Sequence, residues 1–177
     1  MVAHRLVEAV LQREGSPWRI TLLAEEPRAP YDRVALTSYF SGRYPDDLAL
    51  GNPQMWDDER VTLRRGEQVA TVDREARVVT TARGREYAYD ALVLATGSSA
   101  FVPPVEGKDL PGFFVYRTLD DVASLRQYVE DLRTKLDRPV VGAVVGGGLL
   151  GLEAAGALQA LDVQSHVVEF APRLMPV

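Results

Sequence analysis

Three glycines in the last quarter of the chain have a spacing that suits phosphate binding. Gly146, Gly148 and Gly151 form a G-x-G-x-x-G pattern that directly follows an apolar, valine-rich run. In this pattern the first glycine permits a tight turn, the second lets the backbone approach a pyrophosphate, and the third lets the next helix pack on the preceding strand. Leu149 and Leu150 stand between the second and third glycines, at the start of that helix. The pattern therefore predicts a dinucleotide-binding turn that includes all five residues.

A carboxylate follows the glycine pattern at a suitable distance. Glu169 lies 21 positions after Gly148 and closes a second apolar run, Val163–Val168. About 20 residues separate such a turn from the acid that accepts hydrogen bonds from the adenosine ribose. Because a carboxylate repels a 2'-phosphate, this position predicts NADH over NADPH, while Arg173 keeps NADPH open as an alternative. A strand–helix–strand unit that binds no ligand is the structural alternative.

A second glycine-terminated strand is predicted in the middle of the chain. The run Ala91–Thr96 is continuously apolar up to Gly97, which is typical of a strand buried on both faces in a parallel sheet. Short β-rich segments precede it, with a hairpin turn at Arg83 and Gly84, and they predict a small antiparallel β excursion. These segments are Val61–Arg64, Gln68–Val72, Arg77–Thr81 and Glu86–Tyr89.

The amino-terminal region predicts a helix over Val2–Glu14 and a strand over Arg19–Ala24, closed by Glu25 and Glu26. Helix, strand and acid follow one another as in a dinucleotide-binding unit that lacks its first strand and glycine loop. The unit with the glycine pattern stops just after its second strand. We therefore expect an α/β fold with two Rossmann-like dinucleotide-binding units, both incomplete, over residues 1–116 and 117–177.

A helix is predicted immediately before the glycine pattern. Thr118 suits its N-cap, and Asp120 and Asp121 suit the positive end of a helix dipole. The apolar stripe that would face the core consists of Leu119, Val122, Leu125, Val129, Leu132 and Leu136.

Composition limits the function classes that the chain can serve. It contains no cysteine, which excludes a dithiol relay, a thiolate zinc site and a cysteine-ligated iron–sulfur centre within this stretch. His4 and His166 fall in different elements far apart, so we expect neither to be a ligand, and we expect no metal site and no catalytic acid or base. The net charge of −5 argues against nucleic acid or an anionic membrane as partner. Without a ~20-residue apolar run or a signal peptide, the sequence predicts a cytoplasmic protein.

Several of these segments together resemble a known family. The run Tyr89–Ser98 (Y-D-A-L-V-L-A-T-G-S), the pair Pro103 and Pro104, and the pattern at Gly146 are similar to the FAD/NAD(P)-binding part of the pyridine nucleotide oxidoreductases. These are flavoprotein reductases with two dinucleotide-binding domains. The resemblance covers nearly the whole chain and implies FAD and NAD(H) as cofactors, with NADPH as the alternative.

A narrower resemblance, carried by Glu25–Phe40 and the first eight residues, is to the large subunits of assimilatory NAD(P)H nitrite reductases. It implies a segment that passes electrons from NADH through FAD to a downstream electron acceptor or small subunit. Sirohaem and an iron–sulfur cluster would lie only beyond Val177, and this fragment alone would be inactive. The alternatives are a fragment of an NADH-dependent rubredoxin or ferredoxin reductase or NADH oxidase, and a truncated nucleotide-binding product without activity.

The family resemblance also implies FAD contacts. Glu25 or Glu26 would bind the adenosine ribose, Arg33 would lie near the pyrophosphate or the flavin, and Val69 would meet the adenine. The dinucleotide would be lined by Ala95, Thr96 and Gly97. The structural alternatives are a solvated turn for the two acids, a surface ion pair for the arginine and a core position for the valine.

Two further positions bear on the redox centre. Glu153 resembles the family's glutamate near the nicotinamide, and its structural alternative is a solvent-facing helix residue. Ser38 stands about where relatives have a lysine near the flavin. A role for that lysine in tuning the flavin therefore does not transfer to this chain.

Overall fold

The computed structural model describes residues 2–42 and 44–175, and its contacts group the chain into two units. The first consists of Met1–Asp32 and Ala49–Gly97, and the second of Arg33–Leu48 and Ser98–Val177. Helices and small β-sheets make up both, so the chain is α/β. The division into cofactor-binding domains at residues 116 and 117 stays a prediction.

The first unit contains a parallel pair of strands and one helix. Helix α1 spans Val2–Leu11, strand β1 spans Ile20–Ala24 and strand β2 spans Val61–Arg65. The two strands pair in parallel along their whole length. α1 ends before the predicted Glu14, and the chain then turns at Gly15, whose φ is +67°.

The apolar face of α1 packs on this strand pair. Val7 is 1% exposed and forms the centre of the contact. A short 3-10 helix, Pro53–Asp57, begins where Asn52 accepts a hydrogen bond from the Gln54 N–H at 3.0 Å. It supplies two of the core side chains. The core consists of Val7, Met55 and Val61, with Leu11, Ile20, Leu22 and Trp56 packed against them.

A separate antiparallel sheet follows in the same unit. It is formed by β3 (Val69–Asp73), β4 (Val78–Thr81) and β5 (Glu86–Ala88), with β4 in the centre. β4 and β5 are joined by the predicted turn, in which Gly84 has φ +75° and its N–H donates to the Thr81 carbonyl at 2.9 Å. The small antiparallel excursion is therefore confirmed, although β2 pairs with β1 and does not join it.

The structure contradicts the predicted strand over Ala91–Thr96. None of the described strands pairs with these residues, and all six are exposed, with Leu94 at 70%. An apolar run forms a strand only where a neighbouring strand satisfies its backbone N–H and C=O groups. The described residues provide no such neighbour. The prediction of a strand buried on both faces is wrong for this reason.

The second unit contains the helix predicted before the glycine pattern. Helix α2 spans Leu119–Lys135, and Thr118 is its N-cap, as predicted. The Thr118 hydroxyl accepts from the Asp121 N–H at 3.1 Å, while the Asp121 carboxylate accepts from the Thr118 N–H at 2.7 Å. This reciprocal capping box satisfies two N–H groups that a bare helix start would leave open.

The glycine pattern lies in a strand–helix–strand unit, which confirms the predicted order of elements. Strand β6 spans Val141–Val145, helix α3 spans Leu149–Ala160 and strand β7 spans Gln164–Val168. β6 and β7 pair in parallel, as a crossover helix requires. The core on this side consists of Val129, Val140, Leu158 and Val163, with Leu125, Leu132, Val144 and Leu161 packed against them.

Two 3-10 helices from the first half of the chain also belong to the second unit. They span Arg33–Ser41 and Pro45–Leu48, and each buries one leucine, Leu36 at 3% and Leu48 at 2% exposure. The helix Arg33–Ser41 packs against α3 and α2. Across residues 2–42 and 44–175, no helix combines the length and the apolar character needed to cross a membrane.

Candidate dinucleotide site

The first glycine of the pattern forms the turn that leaves β6. Gly146 has φ +114°, a backbone conformation that residues with a side chain rarely adopt. Its N–H donates to the Val168 carbonyl at 2.8 Å, which ties the turn to the end of β7. The turn therefore lies at the carboxyl-terminal edge of the parallel strands, where ligands bind in open α/β sheets.

The second glycine starts helix α3. Gly148 is the N-cap, and no side chain accepts a hydrogen bond from the first turn of the helix. A Cβ built on Gly148 would meet no heavy atom within 4 Å. The side chains of Leu149 and Leu150 are 61% and 63% exposed. The N-terminal N–H groups of α3 are therefore donors without an intrahelical partner, beside open space.

The third glycine allows α3 to contact the turn directly. A Cβ built on Gly151 would lie 1.9 Å from the carbonyl oxygen of Gly146 and 2.9 Å from its carbonyl carbon. Both are backbone atoms, which cannot rotate away as the end of a side chain can. Val144 would be 3.6 Å away. Only glycine fits at position 151 without moving the turn.

Glu169 directly follows β7, and its carboxylate reaches the glycine turn. It accepts a hydrogen bond from the Ala171 N–H at 2.8 Å and another from the Gly147 N–H. The bond from Ala171, which has the larger effect, and the bond from Gly147 both lower the pKa of Glu169 below its ordinary value. A charged carboxylate at neutral pH therefore lies beside the helix start, at the position that the spacing from Gly148 predicts.

The segment after Glu169 also contacts the turn. The Met175 N–H donates to the Gly147 carbonyl at 2.9 Å. A Cβ built on Gly147 would lie 2.5 Å from Cδ2 of Leu174. Arg173, the residue that keeps NADPH open as an alternative, is exposed in this segment.

Glu153 lies on the second turn of α3 and is partly buried. Its charge acts on Tyr116, which stands two positions before the N-cap of α2. Burial raises the pKa of Tyr116, a hydrogen bond with Thr37 lowers it, and the carboxylate of Glu153 raises it. The net effect is a raised pKa, so Tyr116 keeps its proton at neutral pH.

The two acids after β1 both have polar neighbours. Glu25 is exposed and accepts a hydrogen bond from the Gln68 side-chain amide at 3.0 Å. Glu26 is partly buried and accepts from the Tyr31 hydroxyl at 2.7 Å. Both carboxylates therefore stand at the carboxyl-terminal end of a parallel strand, in the same kind of position as Glu169 after β7.

The other residues predicted to contact FAD are exposed. Val69, at the start of β3 opposite Thr81, is 39% exposed and is not a core residue. Ala95, Thr96 and Gly97 lie in the irregular exposed segment, and Gly97 has φ +71°. Arg33, the first residue of a 3-10 helix, belongs to the second unit and is exposed.

Sequence reasoning missed two features that the structure brings together. Thr37 and Tyr116 are 79 positions apart, and their hydroxyl oxygens are 3.0 Å from each other. Glu67, between β2 and β3, is 2% exposed and forms an ion pair with Arg85. Neither pair follows a spacing rule. The available signals were the position of Thr37 within the segment Glu25–Phe40 and that of Tyr116 two residues before the N-cap of α2.

Comparison with known proteins adds the enzyme class of close relatives. The chain is 49% identical to the nitrite reductase NAD(P)H large subunit of Klebsiella oxytoca and 42% identical to the nitrite reductase (NADH) large subunit of Escherichia coli (strain K12). The alignments cover 100% and 99% of this chain but only 18% and 20% of those relatives. The chain thus spans about a fifth of their length.

A solved structure shares the fold. The ferredoxin reductase for the CYP199A2 system of Rhodopseudomonas palustris is 34% identical, with a TM-score of 0.81 over 98% of this chain and 41% of that chain. The family model described as pyridine nucleotide-disulphide oxidoreductase matches residues 6–177. With the glycine turn, the start of α3 and Glu169 arranged as described, the chain belongs to the pyridine nucleotide-disulphide oxidoreductase family.

Proposed function

We propose that this chain is the FAD- and NAD(P)H-binding part of an oxidoreductase that passes electrons from NADH through a flavin, within a nitrite reductase large subunit. The observation that carries the proposal is the turn Gly146–Gly151, where a positive-φ glycine, an uncapped helix start and a carboxylate meet. The likeness to two nitrite reductase large subunits supports the enzyme class. Two Rossmann-like units, over residues 1–116 and 117–177, are part of the proposal.

The residues of the turn fit the adenosine diphosphate part of NADH. The uncapped N–H groups at Leu149, Leu150 and Gly151 would donate to the pyrophosphate, which the positive end of the α3 dipole also attracts. Gly148 leaves the approach free of a side chain. Glu169 would accept hydrogen bonds from the ribose hydroxyls, as a charged carboxylate with a lowered pKa is suited to do.

The same carboxylate favours NADH over NADPH. A 2'-phosphate would bring a second negative charge beside Glu169, and like charges at contact distance repel by several kcal/mol. Arg173 lies in the segment that follows Glu169 and offers the opposite charge. We therefore propose NADH as the preferred donor, with NADPH as the alternative that Arg173 keeps open.

FAD, when bound, supplies a group that accepts the hydride of NADH and then reduces the next acceptor. In the first unit, Glu25 and Glu26 end a parallel strand and would accept hydrogen bonds from its adenosine ribose. The exposed side chain of Val69 would meet the adenine. The backbone at Ala95, Thr96 and Gly97 is exposed and would line the dinucleotide.

The second unit would act on the redox end of the cofactors. Arg33 would balance the charge of the pyrophosphate or of the flavin, and Glu153 would lie near the nicotinamide. No residue is assigned as a catalytic acid or base. The chain therefore contributes binding and orientation, and the hydride chemistry is that of the cofactors.

The electrons would leave to a downstream acceptor or a small subunit. In a nitrite reductase we propose that sirohaem and an iron–sulfur cluster lie outside this stretch, because the 177 residues contain no cysteine. The likeness to a ferredoxin reductase favours a second candidate, in which a ferredoxin receives the electrons. A cytoplasmic location, and inactivity of this stretch alone, are further parts of the proposal.

Replacing Glu169 tests the assignment of the turn. Glu169→Ala should weaken NADH binding, measured by fluorescence titration, by roughly 10- to 100-fold, because hydrogen bonds to a charged group contribute about 1.5–3 kcal/mol. Glu130→Gln is the matched control, since Glu130 is an exposed acid on α2, and it should leave binding unchanged. Equal NADPH and NADH affinities in the unmodified protein would refute the specificity, and unchanged NADH affinity in the variant would refute the site.

A further inference from the structure

A hydroxyl contact joins two distant parts of the second unit. Thr37, in the 3-10 helix Arg33–Ser41, places its Oγ1 3.0 Å from the hydroxyl oxygen of Tyr116, and the contact is partly buried. Tyr116 stands two residues before Thr118, the N-cap of α2. Either oxygen can be the donor in this contact. The pair therefore connects the 3-10 helix to the start of α2.

Ring contacts hold the carboxyl-terminal end of the same 3-10 helix. Phe40 stacks on Tyr116, with ring centroids 6.3 Å apart and planes at 17°. Tyr39 meets Phe40 edge-on at 6.0 Å, and the guanidinium carbon of Arg126 lies 5.8 Å from the centre of the Tyr39 ring. Stacked rings can shift sideways over each other at little cost. The hydroxyl contact between Thr37 and Tyr116 is directional, so it fixes one position of the Tyr116 ring on the 3-10 helix.

This 3-10 helix has a second neighbour, α3. It packs against α3, the helix that begins at the glycine turn, and Glu153 of α3 is close enough to act electrostatically on Tyr116. The first residue of the 3-10 helix is Arg33, which the proposed function assigns to the pyrophosphate or flavin of FAD. One short element therefore carries a residue assigned to FAD and contacts the helix assigned to NADH.

We propose that Tyr116 and Thr37 are positioning residues that hold the segment Arg33–Ser41 on α3 and thereby fix where Arg33, assigned to FAD, stands relative to the helix assigned to NADH. The inference rests on the proposed function. Hydride transfer needs the reacting atoms about 3–3.5 Å apart, and displacements of about 1 Å cost up to ~100-fold in rate. Removing the hydroxyl contact leaves Phe40 stacked on Tyr116 but lets the two rings shift relative to each other.

The first part of the test needs no cofactor. Tyr116→Phe and Thr37→Val each remove one hydroxyl, and amide hydrogen exchange of residues 33–42 should become faster in both. Tyr128→Phe is the matched control, because Tyr128 also contacts a ring, Phe114 at 5.3 Å, and lies outside the pair. Exchange of residues 33–42 should stay unchanged in that variant. Unchanged exchange in Tyr116→Phe and Thr37→Val would overturn the proposed anchoring.

The second part uses the full-length, flavin-loaded enzyme that contains this stretch, together with NADH. In Tyr116→Phe and Thr37→Val, the long-wavelength charge-transfer absorbance between nicotinamide and flavin should fall about twofold or more. The rate at which NADH bleaches the flavin should fall on the order of tenfold. The affinities for FAD and NADH should stay within about twofold, because the pair is assigned no contact with either. The double variant should lose no more absorbance and no more bleaching rate than either single variant. Thr37→Ser keeps a hydroxyl, so it should keep the absorbance of the unmodified protein.

The outcomes separate the two proposals. If the unmodified protein binds both nucleotides and the variants keep the absorbance and the bleaching rate, the positioning role is refuted while the proposed function stands. If the unmodified protein binds neither nucleotide, the proposed function fails and the positioning role fails with it. Additive losses in the double variant would show that the hydroxyls act separately and would also overturn the pair.

Discussion

The close approach of α3 to the glycine turn predicts opposite effects for two substitutions on one helix. Gly151→Ala adds a Cβ that would lie 1.9 Å from the Gly146 carbonyl oxygen, far inside the 3.4 Å at which ordinary contact begins. Gly156→Ala adds the same atom on the same helix, five residues later, where no heavy atom lies within 4 Å. The two variants therefore share a change in helix propensity and differ in packing.

The expected magnitudes follow from those two contributions. Alanine stabilises a helix interior by about 0.5–1 kcal/mol relative to glycine, so Gly156→Ala should raise the free energy of unfolding by that amount. At Gly151 the overlap is with backbone and must be relieved by moving the turn. Forced overpacking costs up to about 3 kcal/mol. The net effect of Gly151→Ala should be a loss of about 2 kcal/mol.

The assay is urea unfolding of the two variants and the unmodified protein, followed by far-ultraviolet circular dichroism at 25 °C. The difference between the two alanine variants should be about 3 kcal/mol, which is well above the uncertainty of a linear extrapolation. A Gly151→Ala protein as stable as the unmodified one would refute the close approach. A Gly156→Ala protein less stable than the unmodified one would refute the assumption that alanine stabilises α3 at both positions.

Three further predictions concern caps and charges. Thr118→Ala should lower the free energy of unfolding by about 1 kcal/mol, because it removes the N-cap of α2, whereas Thr134→Ala near the other end should change little. Arg85→Ala should cost about 1–3 kcal/mol in urea unfolding, because it leaves the buried Glu67 carboxylate without its ionic partner. The side-chain hydrogen bond from Arg60 holds the pKa of Asp58 at about 2, below its ordinary 3.8. Ionised Asp58 therefore stabilises the folded state above pH 3.8. The difference in free energy of unfolding between the unmodified protein and Asp58→Asn, measured by urea unfolding, should disappear as the pH falls from 3.8 to about 2.

Local patterns predicted the part of the second unit between Thr118 and Glu169 well. Thr118 was expected at the N-cap of α2 and is found there, with Asp121 completing the capping box. The valine-rich run, the glycines and the apolar run before Glu169 give a strand, a turn, a helix and a parallel strand in that order. These features depend on residues close in sequence, and each has a physical cause within one or two turns of chain.

The failures have a common cause in partners distant along the chain. Apolar content alone predicted a buried strand over Ala91–Thr96, but pairing depends on a neighbour that this segment does not have among the described residues. The grouping of Arg33–Leu48 with the second unit, and the contact between Thr37 and Tyr116, are equally invisible to periodicity. The predicted cofactor contacts stay predictions.

The placement of the 3-10 helix Arg33–Ser41 on α3 has a consequence for how the chain folds during synthesis. About 100 residues separate the two elements, so at about 5–20 residues per second the earlier segment waits ~5–20 s for its partner. Contacts of such long sequence separation also slow folding, because the loop between them must close first. The second unit therefore completes late, and its amino-terminal piece stays open to chaperones and proteases until α3 has left the ribosome.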